Sequence, residues 1–168
     1  EKILRPSPSR VPASCTHTAI CGGCRFQDLD YGEQLRHKQR QVEECLAHLG
    51  GIRVESRPII PAPKLFHYRN KMEYSFGADA DGKLTLGLHR RGFFDRSFDL
   101  ERCWIATPIS SEIVAFVREF AIREGLPGQP AARRLCMRQH GNTLFVTTQD
   151  AYLAREGEAV LVRVFGGP

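Results

Sequence analysis

No apolar run in this sequence approaches the roughly 20 residues that would span a bilayer. No signal-peptide pattern opens it, so the expected compartment is the cytoplasm and no membrane partner is expected. There is no internal repeat, and no Gly-x-Gly cofactor turn follows a strand. An initiator Met is also lacking; the chain starts at Glu1 and is expected to be a piece of something longer, with a domain upstream. Six cysteines in 168 residues are too few for a disulfide scaffold. A chain of this size can bury a core without cross-links. In a reducing compartment, clustered cysteines serve more often as metal ligands or catalytic groups than as bridges.

What is present suits a folded, basic protein. Apolar residues make up 42% of the chain, enough for a packed core. Lys and Arg number 24 against 19 Asp and Glu, a formal net charge of +5. That excess favours an acidic partner. Nucleic acid is the commonest, because Lys and Arg neutralise phosphates and release counterions. Many proteins are mildly basic, so charge alone does not decide it.

Residues 5–12, RPSPSRVP, are polar and Pro-rich, and residues 1–14 read as a linker. Residues 15–26, CTHTAICGGCRF, form a Cys/Gly loop. Asp30 can then cap a helix, with Glu33 in capping-box position. Leu35, Val42, Cys45, Leu46 and Leu49 share one face, predicting a packed stripe. Arg36, His37, Lys38 and Arg40 read as a solvated face ahead of a phosphate-facing stripe. Gly50-Gly51 ends the helix, and 52–63 is extended.

From Tyr68 the period changes to two. Met72, Tyr74 and Phe76 point inward, while Arg69, Lys71, Glu73 and Ser75 point outward. Asp81-Gly82 marks a hairpin into Leu84, Leu86 and Leu88. A third run, 93–100, is expected to complete an antiparallel meander. Thr107 and Pro108 start a second helix, with Ile109, Ile113, Phe116, Val117 and Phe120 as its buried stripe. Gly125 and Pro127 stop it. Strands are expected at 133–139 and 143–149, joined through Gly141-Asn142. The apolar tail 159–165 has no clear place. The expected fold class is α+β: an antiparallel β-sheet domain over 64–168, a helical segment over 27–63, flanking helices and a Cys-rich loop.

Cys15-x5-Cys21-Gly-Gly-Cys24 places three thiols in ten residues. Cys-x-x-Cys lets two sulfurs reach one metal centre. Intervening glycines let the backbone fold closely and aim N–H groups at sulfur. A fourth ligand must come from elsewhere. Cys45 on a helix face and Cys136 in a strand read as structural thiols. Cys103, in a loop before the Thr107 cap and beside Trp104, is the best remote candidate. Spacing leaves open a [4Fe–4S] cluster or a four-cysteine zinc site, with a Cys21–Cys24 redox disulfide as a weaker option. His17 in the same loop reads as polar surface.

Cys15-x5-Cys21-Gly-Gly-Cys24-x2-Gln27, then Tyr31-x2-Gln34-Leu35-x2-Lys38, resembles the bacterial 23S rRNA (uracil-5-)-methyltransferase family and its tRNA relatives. Residues 68–76, YRNKMEYSF, continue the likeness, as do Gly87-x2-Arg90 and Asp99-x3-Cys103. The likeness runs from about residue 5 to residue 150 and favours a cluster over zinc. It implies an N-terminal β-barrel module, a central cluster-bearing domain, and a C-terminal Rossmann-like domain that binds S-adenosylmethionine. This chain resembles the central part, and 27–63 resembles the segment that leans on the catalytic domain. In such enzymes a thiolate attacks C6 of a flipped uracil, C5 takes the methyl group, and a base removes the C5 proton. The Asp-Pro-Pro-Arg stretch with the family's nucleophile is absent here, as is a counterpart of the base. No catalytic and no S-adenosylmethionine-binding residue is assigned, and the chain alone is expected to be inactive.

RNA is the expected partner, rRNA ahead of tRNA, and the protein is expected to be a monomer. Arg69, Lys71, Arg90 and Arg91 are the candidate contacts, and Phe93 or Phe94 a candidate stacking surface. Two other functions remain: a stand-alone zinc RNA-binding module without enzymatic activity, and a small electron-transfer protein. The last is weakest, because ferredoxin-like chains place more ligands in close sequence.

Overall fold

The computed structural model describes residues 3–126, 134–140 and 143–148. The described residues fall into two compact units, one drawn from Glu1–Thr18 and Cys24–Pro63, the other from Ala19–Gly23 and Lys64–Pro168. The fold is α+β. No helix among the described residues is long and apolar enough to cross a membrane.

The first unit is built on helix α1, Tyr31–Glu44. Asp30 caps it, its carboxylate accepting from the Glu33 amide at 3.1 Å. The helix runs on into a π-helical turn, Cys45–Leu49, closed by Gly50 N donating to Cys45 O at 3.1 Å. Gly51, at φ +64°, ends it as its position predicted. The packed stripe does not appear. No residue of α1 is buried, Cys45 is exposed, and Val42 and Leu49 are 58% and 86% exposed. The physical reason is the neighbour. Residues 56–62 are held by polar side chains: Gln39 Nε2 donates to Ser56 Oγ and Arg57 O, Gln39 Oε1 accepts from Ile59 N, and Tyr31 Oη accepts from Ala62 N at 2.8 Å. Hydrogen bonds rather than the apolar stripe carry that contact. Part of the polar stretch read as a linker is also tied down. Val11 N donates to Asp28 O, Asp30 N donates to Ser9 O, and Arg10 pairs with Asp28.

The second unit holds a four-stranded antiparallel sheet in the order β2-β1-β3-β4. The strands are β1 Lys71–Ala78, β2 Leu84–Gly87, β3 Arg134–His140 and β4 Thr143–Thr148. Asp79 shapes the β1–β2 hairpin, its carboxylate accepting from the Asp81 and Lys83 amides while Gly82 takes φ +78°. Met72, Tyr74 and Phe76 point inward with Leu86, Leu135 and Met137. Ser75 departs from the alternation: it is buried, its Oγ 2.9 Å from His89 Nε2.

Two further expectations are corrected. Residues 93–100 do not form a third strand. Phe98 N and Leu100 N donate to Leu88 O and Leu86 O, but Leu86 N donates to the Asp99 carboxylate instead of a backbone carbonyl. The side chain interrupts the ladder, and β1 takes β3 as its second neighbour. Helix α2, Pro108–Arg123, starts at Thr107 and Pro108 as expected, but buries a different face. Ser110, Ser111, Val114 and Ala121 are covered, while Phe116 is 69% exposed. α2 lies against β2, and small side chains let the two backbones approach. Pro127, Gly141, Asn142 and the tail 159–165 lie outside the described residues.

Gly87 marks the tightest approach. A Cβ there would meet Phe98 O at 2.1 Å and Leu100 N at 2.9 Å, both backbone atoms. Gly87→Ala is therefore expected to lower unfolding stability by about 1–3 kcal/mol or more, read by urea titration. An unchanged midpoint would mean that residues 98–100 do not lie against β2.

Candidate metal centre and nucleic-acid interface

The cysteine loop is fixed by its backbone. Cys15 N donates to Gln27 Oε1 at 3.2 Å, and Cys15 O accepts from Thr18 N and Thr18 Oγ1. Gln27 thus serves the loop backbone. Gln34 Nε2 ties the end of the loop to α1 through Phe26 O and Leu29 O. In the second unit, residues 20–22 pair with 89–91. Gly22 N donates to His89 O at 3.1 Å, Arg91 N donates to Ile20 O at 2.8 Å, and Cys21 bridges Arg90. Cys21 is buried, and its Sγ accepts from the Gly23 amide at 3.3 Å. His17 is buried too, not the polar surface its loop position predicted.

Cys103 is also buried, its amide donating to Ser111 Oγ at 3.1 Å. The chain beyond it, 104–106, runs beside 67–69. His67 N donates to Trp104 O and Arg69 N to Ile105 O, both at 2.9 Å. His67 takes φ +55°, an uncommon value for a residue with a side chain. Its ring holds that conformation, with Nδ1 2.7 Å from Ala106 O and the ring stacked on Trp104 at 6.0 Å.

No disulfide joins any of the six cysteines. Among the described residues, no three His, Cys, Asp or Glu side chains are gathered as they would be around a metal ion. Of the candidate ligands Cys21 and Cys103 are buried, whereas Cys15 and Cys24 are half-buried. An amide points at Cys21 Sγ, the kind of donor that stabilises a thiolate or cluster sulfur. Tyr74 Oη is fully buried with no hydrogen-bond partner among the described residues. Burial, and then nearby Cys103, pushes the Tyr74 phenol well above its ordinary range. The Ser110 hydroxyl, 2.8 Å from Thr107 Oγ1, lies close to the phenol and partly opposes that rise.

The candidate RNA contacts separate into two places. Arg69 lies outside β1, exposed, bridging Ala106, with its guanidinium 3.8 Å from Met72 Sδ. Lys71 stands on the open face of the sheet, its Nζ 2.8 Å from Glu73 Oε1. Arg134 approaches the same carboxylate at 3.4 Å. Lys71 above all holds the Glu73 carboxyl below the usual range. The register places Lys71 opposite Arg138, and Ser75 opposite Arg134. Arg134 and Arg138 therefore share the face of Lys71, although neither stood out in the sequence as a candidate contact. The alternation Arg134, Cys136, Arg138 against Leu135, Met137 was the available signal. Cys136 is half-buried on that open face.

Arg90 and Arg91 begin a turn that runs to Arg96, closed by Arg90 N donating to Arg96 O at 2.8 Å, with Gly92 at φ +82°. In the first unit, a groove beside α1 is lined by Phe26, Leu29, Gln34, His37, Lys38, Arg40, Gln41 and Glu44, with Arg40 Nε 3.8 Å from the Glu44 carboxylate.

No protein-family model matches the chain. Among curated proteins it is 35% identical over 139 residues, 73% of its length, to an uncharacterized RNA methyltransferase of Porphyromonas gingivalis. It is 34% identical over 140 residues to one of Chlorobaculum tepidum, and 37% identical over 134 residues to one of Bacteroides thetaiotaomicron. The aligned parts are 74% and 71% of this chain. The chain spans about 30% of the length of these relatives. It is thus similar to a segment of proteins named as RNA methyltransferases.

Exposure separates the cysteines chemically. Cys45 is expected to react with a maleimide before Cys21 and Cys103 in the native protein. Cys45→Ala should change stability by less than about 0.5 kcal/mol. A loss of about 2 kcal/mol or more would put Cys45 back in a covered core.

Proposed function

We propose that this chain is the cluster-bearing, RNA-holding part of an S-adenosylmethionine-dependent RNA (uracil-5-)-methyltransferase acting on 23S rRNA. Cys15, Cys21, Cys24 and Cys103 are the ligands of a [4Fe–4S] cluster, which when bound supplies a covalent tie among distant stretches of chain. The observation that carries this reading is backbone pairing between cysteine-bearing and arginine-bearing segments. Residues 20–22 hold 89–91, and 104–106 hold 67–69. Fixing the cysteines thus fixes Arg90, Arg91 and Arg69. These arginines, with Lys71, neutralise RNA phosphates. The likeness to named RNA methyltransferases supports the same partner. No residue of this chain is given a part in methyl transfer itself. The nucleophile, the base and the S-adenosylmethionine site belong to the rest of the protein.

The intact natural protein, incubated with S-adenosylmethionine and unmodified 23S rRNA, should yield 5-methyluridine on nucleoside digestion. Methylation of a different nucleoside, or of tRNA alone, would overturn the assignment at that level. Arg69→Ala with Lys71→Ala should flatten the dependence of log affinity on log salt by about 0.7 for each phosphate no longer neutralised, or roughly 1.4 in all. Glu73→Gln should act the other way, releasing Lys71 and Arg134 and tightening RNA binding. A slope unmoved by the double change would remove these two residues from the interface.

A further inference from the structure

The turn 90–96, RRGFFDR, carries two adjacent phenylalanines in different situations. Phe93 is 46% exposed and lies under the Arg96 guanidinium, 4.6 Å from Cζ to ring centroid. Its amide donates to Arg90 O at 3.1 Å, so it belongs to the framework of the turn. Phe94 is 88% exposed. The same turn carries Arg90, Arg91 and Arg96, all exposed, against the single carboxylate of Asp95. The turn is closed on itself by the Arg90–Arg96 hydrogen bond and pinned at its base by residues 20–22. A large apolar ring is thus presented to solvent on a fixed support, within a net positive surround.

Resting on the function proposed above, we propose that Phe94 is a stacking platform for one unpaired nucleotide of the RNA, with Arg90, Arg91 and Arg96 taking the flanking phosphates. An aromatic ring accepts any base, because every base offers a π-face, and the arginines supply the charge complement. Duplex RNA keeps its bases stacked inward and has none to offer. The surface therefore selects single-stranded loops, bulges or ends. Phe93 is the support, and Phe94 makes the contact.

The test uses the intact natural protein and two probes, a uridine-rich single-stranded oligoribonucleotide carrying 2-aminopurine and a perfect RNA duplex of matched length. Phe94→Ala should weaken single-strand binding about 5- to 100-fold and abolish the 2-aminopurine quench, following the usual worth of a base–aromatic stack. Phe94→Trp should keep both. Duplex affinity should stay within about twofold for each variant. Single-strand affinity and quench unchanged in Phe94→Ala would overturn the proposal while leaving the RNA-binding reading intact, as would an equal loss on both probes. Failure of the unaltered protein to bind either probe would overturn the RNA-binding reading and this inference together.

Discussion

The larger unit depends on two short backbone pairings outside its sheet. In one, residues 20–22 lie along 89–91; in the other, 67–69 lie along 104–106. Each joins a segment at or next to a buried cysteine, 20–22 with Cys21 or 104–106 directly after Cys103, to a segment carrying an exposed arginine. Neither pairing is long enough to be stable alone, since one or two hydrogen bonds contribute only about 1 kcal/mol each. They persist because their neighbours are packed: buried Ser75 against half-buried His89, buried Phe98 and Leu100 along β2, and half-buried His67 stacked on Trp104. The orphan Tyr74 hydroxyl and the orphan Nδ1 of His89 sit beside these pairings as polar atoms without partners among the described residues.

The sheet divides its labour by face. Inward, Met72, Tyr74, Leu135 and Met137 supply the apolar burial that stabilises the unit. Outward, Lys71, Arg134 and Arg138 surround Glu73. Surface ion pairs of this kind contribute little to stability, so the open face is constrained mainly by whatever it meets. Its charge suits a polyanion, and the partial neutralisation by Glu73 moderates that attraction rather than abolishing it.

Much of the fold was legible in the residues. Asp30, Thr107 and Pro108, Asp81-Gly82 and Gly51 each mark an end or a turn through local geometry, which a sequence states most directly, although Glu33 turns to Arg36 and His37 instead of closing a capping box and Thr107 makes no side-chain cap bond. The inward set of β1 was equally clear, because its period is two. What failed was long-range. The stripe on α1 was present, but nothing in the sequence says that residues 56–62 bind through Gln39 and Tyr31. On α2 the bulky residues suggested a buried face, whereas the close approach to β2 selected Ser110, Ser111, Val114 and Ala121. Residues 93–100 had strand composition, yet the Asp99 carboxylate took the amide that a ladder would have used. For the site, the sequence shows four cysteines but not their burial, which is full for Cys21 and Cys103 and partial for Cys15 and Cys24, while Arg134 and Arg138 became visible only through strand register.

The most direct measurement is the iron, sulfide and zinc content of the intact protein purified without oxygen, together with its visible spectrum, for the native chain and for Cys103→Ser and Cys136→Ser. A cluster held by Cys103 predicts about four irons and four sulfides per chain, a brown chromophore lost in Cys103→Ser, and an unaltered spectrum in Cys136→Ser. One zinc with no sulfide, or a chromophore that survives Cys103→Ser, would contradict it.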